Sequence, residues 1–380
     1  MSAAQWRRAM NGRLAAAAPP RSVAAPSPAP SPAEDPYADS DAPRWLKFLW
    51  RTLAPRHVFV GALVLVFPFV ATPFFTFQVA SQALILGLIA LSLSFLAGFG
   101  GMVSLAQMTV AGIAGYGIAV LGSSSSVEIS LGWPWWVAVP TAILFAMLCS
   151  TLIGWLSVRT EGIYTIMITL AIGVAFYYLV LQNYSVFNGF QGLRELKPPT
   201  VFGVNWRAPL PFYFLSLFCA MAGYFFIRHV VRSPFGIALQ GVRDNPRRME
   251  ALGFNVVAHR VAAYALSGAL AAVGGILLAW YNALMTPGSV GTGWLINILI
   301  IAVLGGLKHP IGAFLGALVF VLLQTFAIDV IDRERFNLVI GGVFLAIVLF
   351  SPDGLLGLWA KLRSRFGPNQ VLTSTPRRRP

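Results

Sequence analysis

The chain has 380 residues, 57% of them hydrophobic and only 11% charged, with a mean hydropathy of +0.73. One water-soluble core cannot enclose that much apolar surface, so composition excludes an ordinary soluble domain and makes the bilayer the solvent. The net charge of +14 does not point to nucleic acid, because the basic residues flank apolar runs and few aromatic platforms are interleaved with them.

Residues 1–43 are rich in Ala, Pro and Ser and lack the apolar core of a secretory signal, which predicts a disordered cytoplasmic tail. Their arginines also fit an organellar transit peptide, against which the repeated prolines disfavour the amphipathic helix such a peptide needs. Residues 44–358 read as one membrane domain and residues 359–380 as a basic cytoplasmic tail.

Apolar runs bounded by Gly, Pro and charge begin near residues 57, 78, 104, 134, 162, 210, 260, 292, 310 and 337. The expected fold is an all-α integral membrane protein, a polytopic bundle of about eight to ten transmembrane helices. The run from 292 to 306 is short, and the first contains Pro68 and ends at Pro73, so either could be broken or re-entrant. Cys149 and Cys219 both lie inside apolar runs and read as packing residues, so neither a disulfide nor a metal site is expected, and no cofactor.

Basic residues near span ends are retained on the cytoplasmic side. With both termini cytoplasmic, 22 of the 27 Lys and Arg fall inside, leaving Arg194, Lys197, Arg207, Arg333 and Arg335 outside. Two connections are long: residues 183–209, expected outside, and residues 232–259, expected inside.

The spans carry almost no Asp, Glu or His, so no buried proton relay can be drawn. Sodium coupling through carbonyls and hydroxyls needs no titratable side chain and stays open, as does a facilitator. No phosphate-cradling Gly-x-x-x-x-Gly-Lys-Ser/Thr loop occurs, so if ATP drives this chain another subunit binds it. Arg159 and Glu161, the best pair for enzyme chemistry, read more simply as a helix-boundary pair.

Residues 233–256, SPFGIALQGVRDNPRRMEALGFNV, are too polar to cross a bilayer and patterned like two short helices. Ser233-Pro234 and Asn245-Pro246 each place a capping side chain before a proline at the first helical position, and Gly253 suits a left-handed stop. Phe235, Leu239 and Val242, then Met249 and Leu252, fall at helical spacing beside Arg243, Arg247 and Arg248. Such faces fit a partner's groove or, equally, the anionic surface of the inner leaflet.

Several motifs, in order, resemble the permease subunits of ATP-binding cassette importers of the high-affinity branched-chain amino acid type, M subunit, which have urea and amide relatives. They are GMVSLAQMTVAGIAGYG from Gly101, GIYTIMITLAIG from Gly162, FGIALQGVRDNPRRMEALGFN, ALSGALAAVGGILLAWYNALMTP and IAVLGGLKHPIGAFLGAL. The resemblance implies that the inner loop is the element that docks on the ATPase, through Phe235, Gly236, Ala238, Leu239, Arg243, Asp244, Asn245, Glu250, Ala251, Leu252 and Gly253. Asp244 stands where relatives often have Glu, and Pro246 where they carry a helix-compatible residue. FNGFQGL, residues 187–193, matches the family only at Gly192 and Leu193, and LAIGVAFYYL from Leu170 lacks the polar residue several relatives place there.

The resemblance further implies two ATP-binding subunits, a second, related permease subunit, a periplasmic or extracellular solute-binding protein and a bacterial inner membrane, with no catalytic residue in this chain and no nucleic acid. A path for a zwitterion or small amide needs hydroxyls and amides, for which Ser104, Gln107, Thr109, Thr165 and Thr169 are best placed, although each also suits interhelical packing. The likeness of AGFGGMVSLAQ to VLGGLKHPIGAFLG, two Gly-rich turns entering new helices, fits two repeated halves.

Overall fold

The computed structural model describes residues 66–122, 124, 129–160, 162–199, 203, 205–330, 341–342, 345 and 354–357. The two tails, the run near residue 57 up to residue 65, almost all of the run near 337 and Glu161 lie outside them; of the first run, residues 66–70 are helical and residues 71–72 break the helix before Pro73. The described chain is helical nearly throughout: α1 (Phe75–Phe99), α2 (Gln107–Leu121), α3 (Trp135–Ser157), α4 (Ile163–Gln182), α5 (Pro209–Arg232), α6 (Pro234–Asp244), α7 (Pro246–Ala251), α8 (Val256–Asn282), α9 (Thr292–Gly305) and α10 (Pro310–Val330).

Five of these, α1, α3, α4, α5 and α8, are long and apolar enough to cross a membrane, and α9 with α10 makes a sixth if that pair is one broken span, bent by 118°. The bend is the break expected of the short run from 292: Gly306, at φ +105, and the proline that opens α10 end one helix and start the next. The run expected near 104 is corrected in extent. Residues 101–106 are not helical and α2 has only 15 residues, short of the roughly 20 a helix needs to cross alone.

Burial sorts the helices. α8 packs on α3, α2 and α1, and α10 packs on α1 and α9, so α1, α2 and α8 form the centre. In α1, 83% of the apolar window is buried, against 22% in α4. The rim helices expose large apolar side chains, among them Phe145, Leu152, Ile163, Met167 and Phe218. These turn outward because hydrocarbon, not water, is what they meet.

Helices in lipid gain little from burying apolar surface and associate by close packing of small residues. Gly275 of α8 is the clearest case: a Cβ there would collide with the backbone of Ala111 in α2. Gly305 does the same at the α9–α10 bend, where a Cβ would collide with the carbonyl of Gly312.

The connection after α4 is folded rather than loose. A one-turn helix, Tyr184–Phe187, leads to β1 (Leu193–Arg194), which pairs antiparallel with β2 (Leu284–Met285) just after α8, in register Leu193↔Met285. Gly192, at φ +67 and ψ −173, lets the chain pass so close to Met285 that a Cβ would strike its carbonyl oxygen. Leu193, which follows Gly192, is completely buried and anchors the strand pair.

Candidate functional site

The inner connection forms the two helices its caps predict. Ser233 Oγ accepts from Gly236 N at 3.3 Å to start α6, and Asn245 Oδ1 accepts from Arg248 N at 3.0 Å to start α7 with Pro246 in its first turn. Pro246 therefore sets where α7 begins. At its end Gly253 adopts φ +88, and Phe254 N donates to Met249 O at 3.0 Å.

The faces of these helices are not all where spacing alone would put them. Leu239 and Val242 are completely buried, Ala238 and Gly236 nearly so, and Phe235 is half-buried with its ring stacked on His259 at 5.7 Å. The stripe expected to face a partner is therefore turned inward. α6 lies against α5, α8 and the end of α1, and its apolar side must meet them first. Arg243, Asp244, Asn245, Glu250, Ala251, Leu252 and Gly253 are exposed, and Leu252 (66%), Ile237 (63%) and Phe254 (41%) carry the apolar surface left outside.

Arg243 reaches back into the membrane domain. Its Nη1 donates to the Gly98 carbonyl near the end of α1, and its Nε and Nη2 each lie 2.9 Å from Asp244 Oδ1. Its aliphatic stem covers Gly101, at φ +68, where a Cβ would meet the Arg243 Cγ at 2.5 Å, while Leu239 reaches Gly100. The Gly-rich break between α1 and α2 is thus the seat of α6.

That break leads into the buried polar residues. Ser104 Oγ accepts from Ala106 N at 3.3 Å, and Thr169 Oγ1 of α4 accepts from Leu105 N at 3.1 Å while donating to Thr165 O at 3.0 Å. Thr165 Oγ1 donates to Thr160 O at 2.9 Å. Ser104, Thr165 and Thr169 therefore gather where α4 meets the break. Gln107 points elsewhere: its Oε1 accepts from Ser92 Oγ of α1 and Ser267 Oγ of α8, and its Nε2 is buried without a partner among the described residues. Thr109 Oγ1 is likewise buried and unpartnered, facing Gly173 of α4.

Ser92 and Ser267 were not legible as site residues, since a serine in an apolar run reads as packing; their only signal is the pairing of LSLS and ALSG with a buried amide. Among the described residues none of the fully buried side chains is Asp, Glu, His, Lys or Arg. Among the described residues the fully buried polar side chains are hydroxyls and the one amide of Gln107.

Comparison with known proteins agrees with this architecture. Residues 75–348 match the family model described as branched-chain amino acid transport system, permease component. The chain is 25% identical over 332 residues to the high-affinity branched-chain amino acid transport system permease protein LivM of Escherichia coli strain K12, covering 80% of this chain and 76% of that one. It is 22% identical over 236 residues to the probable LivM of Methanocaldococcus jannaschii, covering 57% and 67%. It is also 23% identical over 290 residues to LivH of Escherichia coli strain K12, covering 71% and 90%. No solved structure matches. With a multi-pass apolar helix bundle matched to the family across most of its length, the chain belongs to the branched-chain amino acid transport permeases, the membrane-spanning components of ATP-binding cassette importers.

Proposed function

We propose that this chain is the M-type permease subunit of a bacterial inner-membrane importer whose ATP is hydrolysed by two partner subunits. A second, related permease subunit completes the pathway, and a periplasmic or extracellular binding protein delivers the solute. Both termini and α6–α7 lie on the cytoplasmic side, and residues 183–209 face outward.

The observation that carries this reading is α6–α7 itself: two capped helices seated on the ends of the bundle through α6, basic through Arg247 and Arg248, with Leu252 and Phe254 exposed. An apolar tip ringed by charge is the kind of surface a groove on another subunit accepts. The solutes are branched-chain or related amino acids, or urea and short amides. The uncharged polar side chains buried among the described residues support that class, since a zwitterion or amide finds hydrogen bonds there without an opposing fixed charge.

The test is affinity purification of the tagged chain from native membranes in mild detergent, with mass spectrometry, for wild type and Leu252→Asp. Leu252 is exposed, so the substitution leaves folding intact and removes the contact. ATP-binding subunits and a second permease should accompany wild type alone. Recovery of the chain by itself, with solute flux that survives ATP depletion, would indicate an ion-coupled carrier or facilitator instead.

A further inference from the structure

We infer that Arg243 is a positioning residue that transmits movement of α6 to the break between α1 and α2, acting inside this chain and not as a contact for the ATP-binding subunit. The inference rests on the reading of α6–α7 as the coupling element.

Gly98 is where the argument starts. α1 ends in a π-helical turn, Phe95–Phe99, so its last carbonyls lack the regular partners of an α-helix. A cation is favoured at such an end because the helix leaves partial negative charge there. The Arg243 guanidinium supplies it, donating to the Gly98 carbonyl from a helix 145 residues away in sequence. Asp244 holds the other face of the guanidinium at 2.9 Å, which leaves Nη1 aimed at α1.

The contact is broader than one hydrogen bond. Leu239, one turn before Arg243, is completely buried and reaches Gly100, and the Arg243 stem covers Gly101. On its far side Gly98 packs directly on the Leu307 backbone, at the bend between α9 and α10. Both breaks in the helical bundle therefore meet at Gly98, and α6 grips that point. A displacement of α6 moves the 98–101 segment, and with it Ser104 and Gln107 a few residues on. Three of its four residues are glycines, so apart from Phe99 the segment has no side chain to wedge it against such a displacement.

The experiment uses the complex purified through this chain and reconstituted in liposomes, comparing wild type, Arg243→Ala and Arg243→Lys for subunit content, ATP hydrolysis and solute uptake. Arg243→Ala should keep its ATP-binding subunits and hydrolyse ATP within about twofold of wild type while uptake per ATP falls about tenfold, a size typical of a broken coupling contact. Arg243→Lys, which keeps a cation and a donor, should recover most of that loss. Uptake per ATP within about twofold of wild type for Arg243→Ala would overturn the inference. Loss of the ATP-binding subunits from Arg243→Ala would overturn it too, by making Arg243 a docking contact. Should Arg243→Ala not accumulate, Arg243→Gln takes its place under the same criteria. A wild-type chain that retains no ATP-binding subunit fails at the first step and removes the importer reading itself.

Discussion

Ser267 Oγ of α8 donates to Gln107 Oε1 of α2 at 3.1 Å, and Ser92 Oγ of α1 donates to the same oxygen at 3.0 Å, so one amide ties the three central helices together. Both serines also have backbone acceptors, Ser92 O for Ser267 and Ile89 O for Ser92. Gln107→Leu should therefore change stability by no more than about 1 kcal/mol, as interhelical hydrogen bonds in bilayers generally do. If the unpartnered Nε2 meets the solute, KM should rise severalfold with little change in thermal unfolding of the purified complex. An unchanged KM would make Gln107 a packing residue.

Gly275 allows α8 to touch the Ala111 backbone, an obstacle that cannot rotate away as a side chain would. Gly275→Leu should cost about 3 kcal/mol, at the upper end for overpacking, and abolish a monodisperse elution peak in detergent. Gly293→Ala, where a Cβ meets nothing within 4 Å, should elute as wild type.

Gly192 holds a backbone conformation open essentially to glycine and seats β1 on β2. Gly192→Ala should cost roughly 1–3 kcal/mol locally and detach the strand pair. In reconstituted protein, tryptic cleavage after the exposed Arg194 should then accelerate about tenfold, because opening of the segment controls access. Unchanged cleavage would mean that the loop is held by other contacts.

Asn245 caps α7 through Arg248 N at 3.0 Å. Asn245→Ala should cost about 1 kcal/mol in α7 and reduce the ATP-binding subunits recovered with the chain, while Asn245→Asp, which can still accept that hydrogen bond, should retain them. Equal recovery from all three proteins would show that α7 docks without its cap.

The helical bundle was legible because bilayer thickness demands long apolar runs and the breaks between them are chemically loud. The starts of seven described helices fall within a few residues of the expected positions, and the Ser233, Asn245 and Gly253 signals act as local rules that need no tertiary context. The mistakes lie where local pattern is silent about direction. Helical spacing put Leu239 and Val242 on one face of α6 but could not say that the face closes on the protein's own α1, leaving Leu252 and Phe254 outside. Ser104 and Thr169 were singled out by residue type, whereas the link between them through Leu105 N spans 64 residues. The Arg243–Gly98 contact spans 145, and the β1–β2 pair joins loops about 90 residues apart. Composition and spacing thus determined that this chain lives in a membrane, where its helices start and which segment is too polar to cross it, since solvent and backbone hydrogen bonding decide those locally. Which glycine a helix may touch, which serine meets the Gln107 amide and which arginine reaches α1 were decided only by packing, because those depend on what lies opposite and not on what lies alongside.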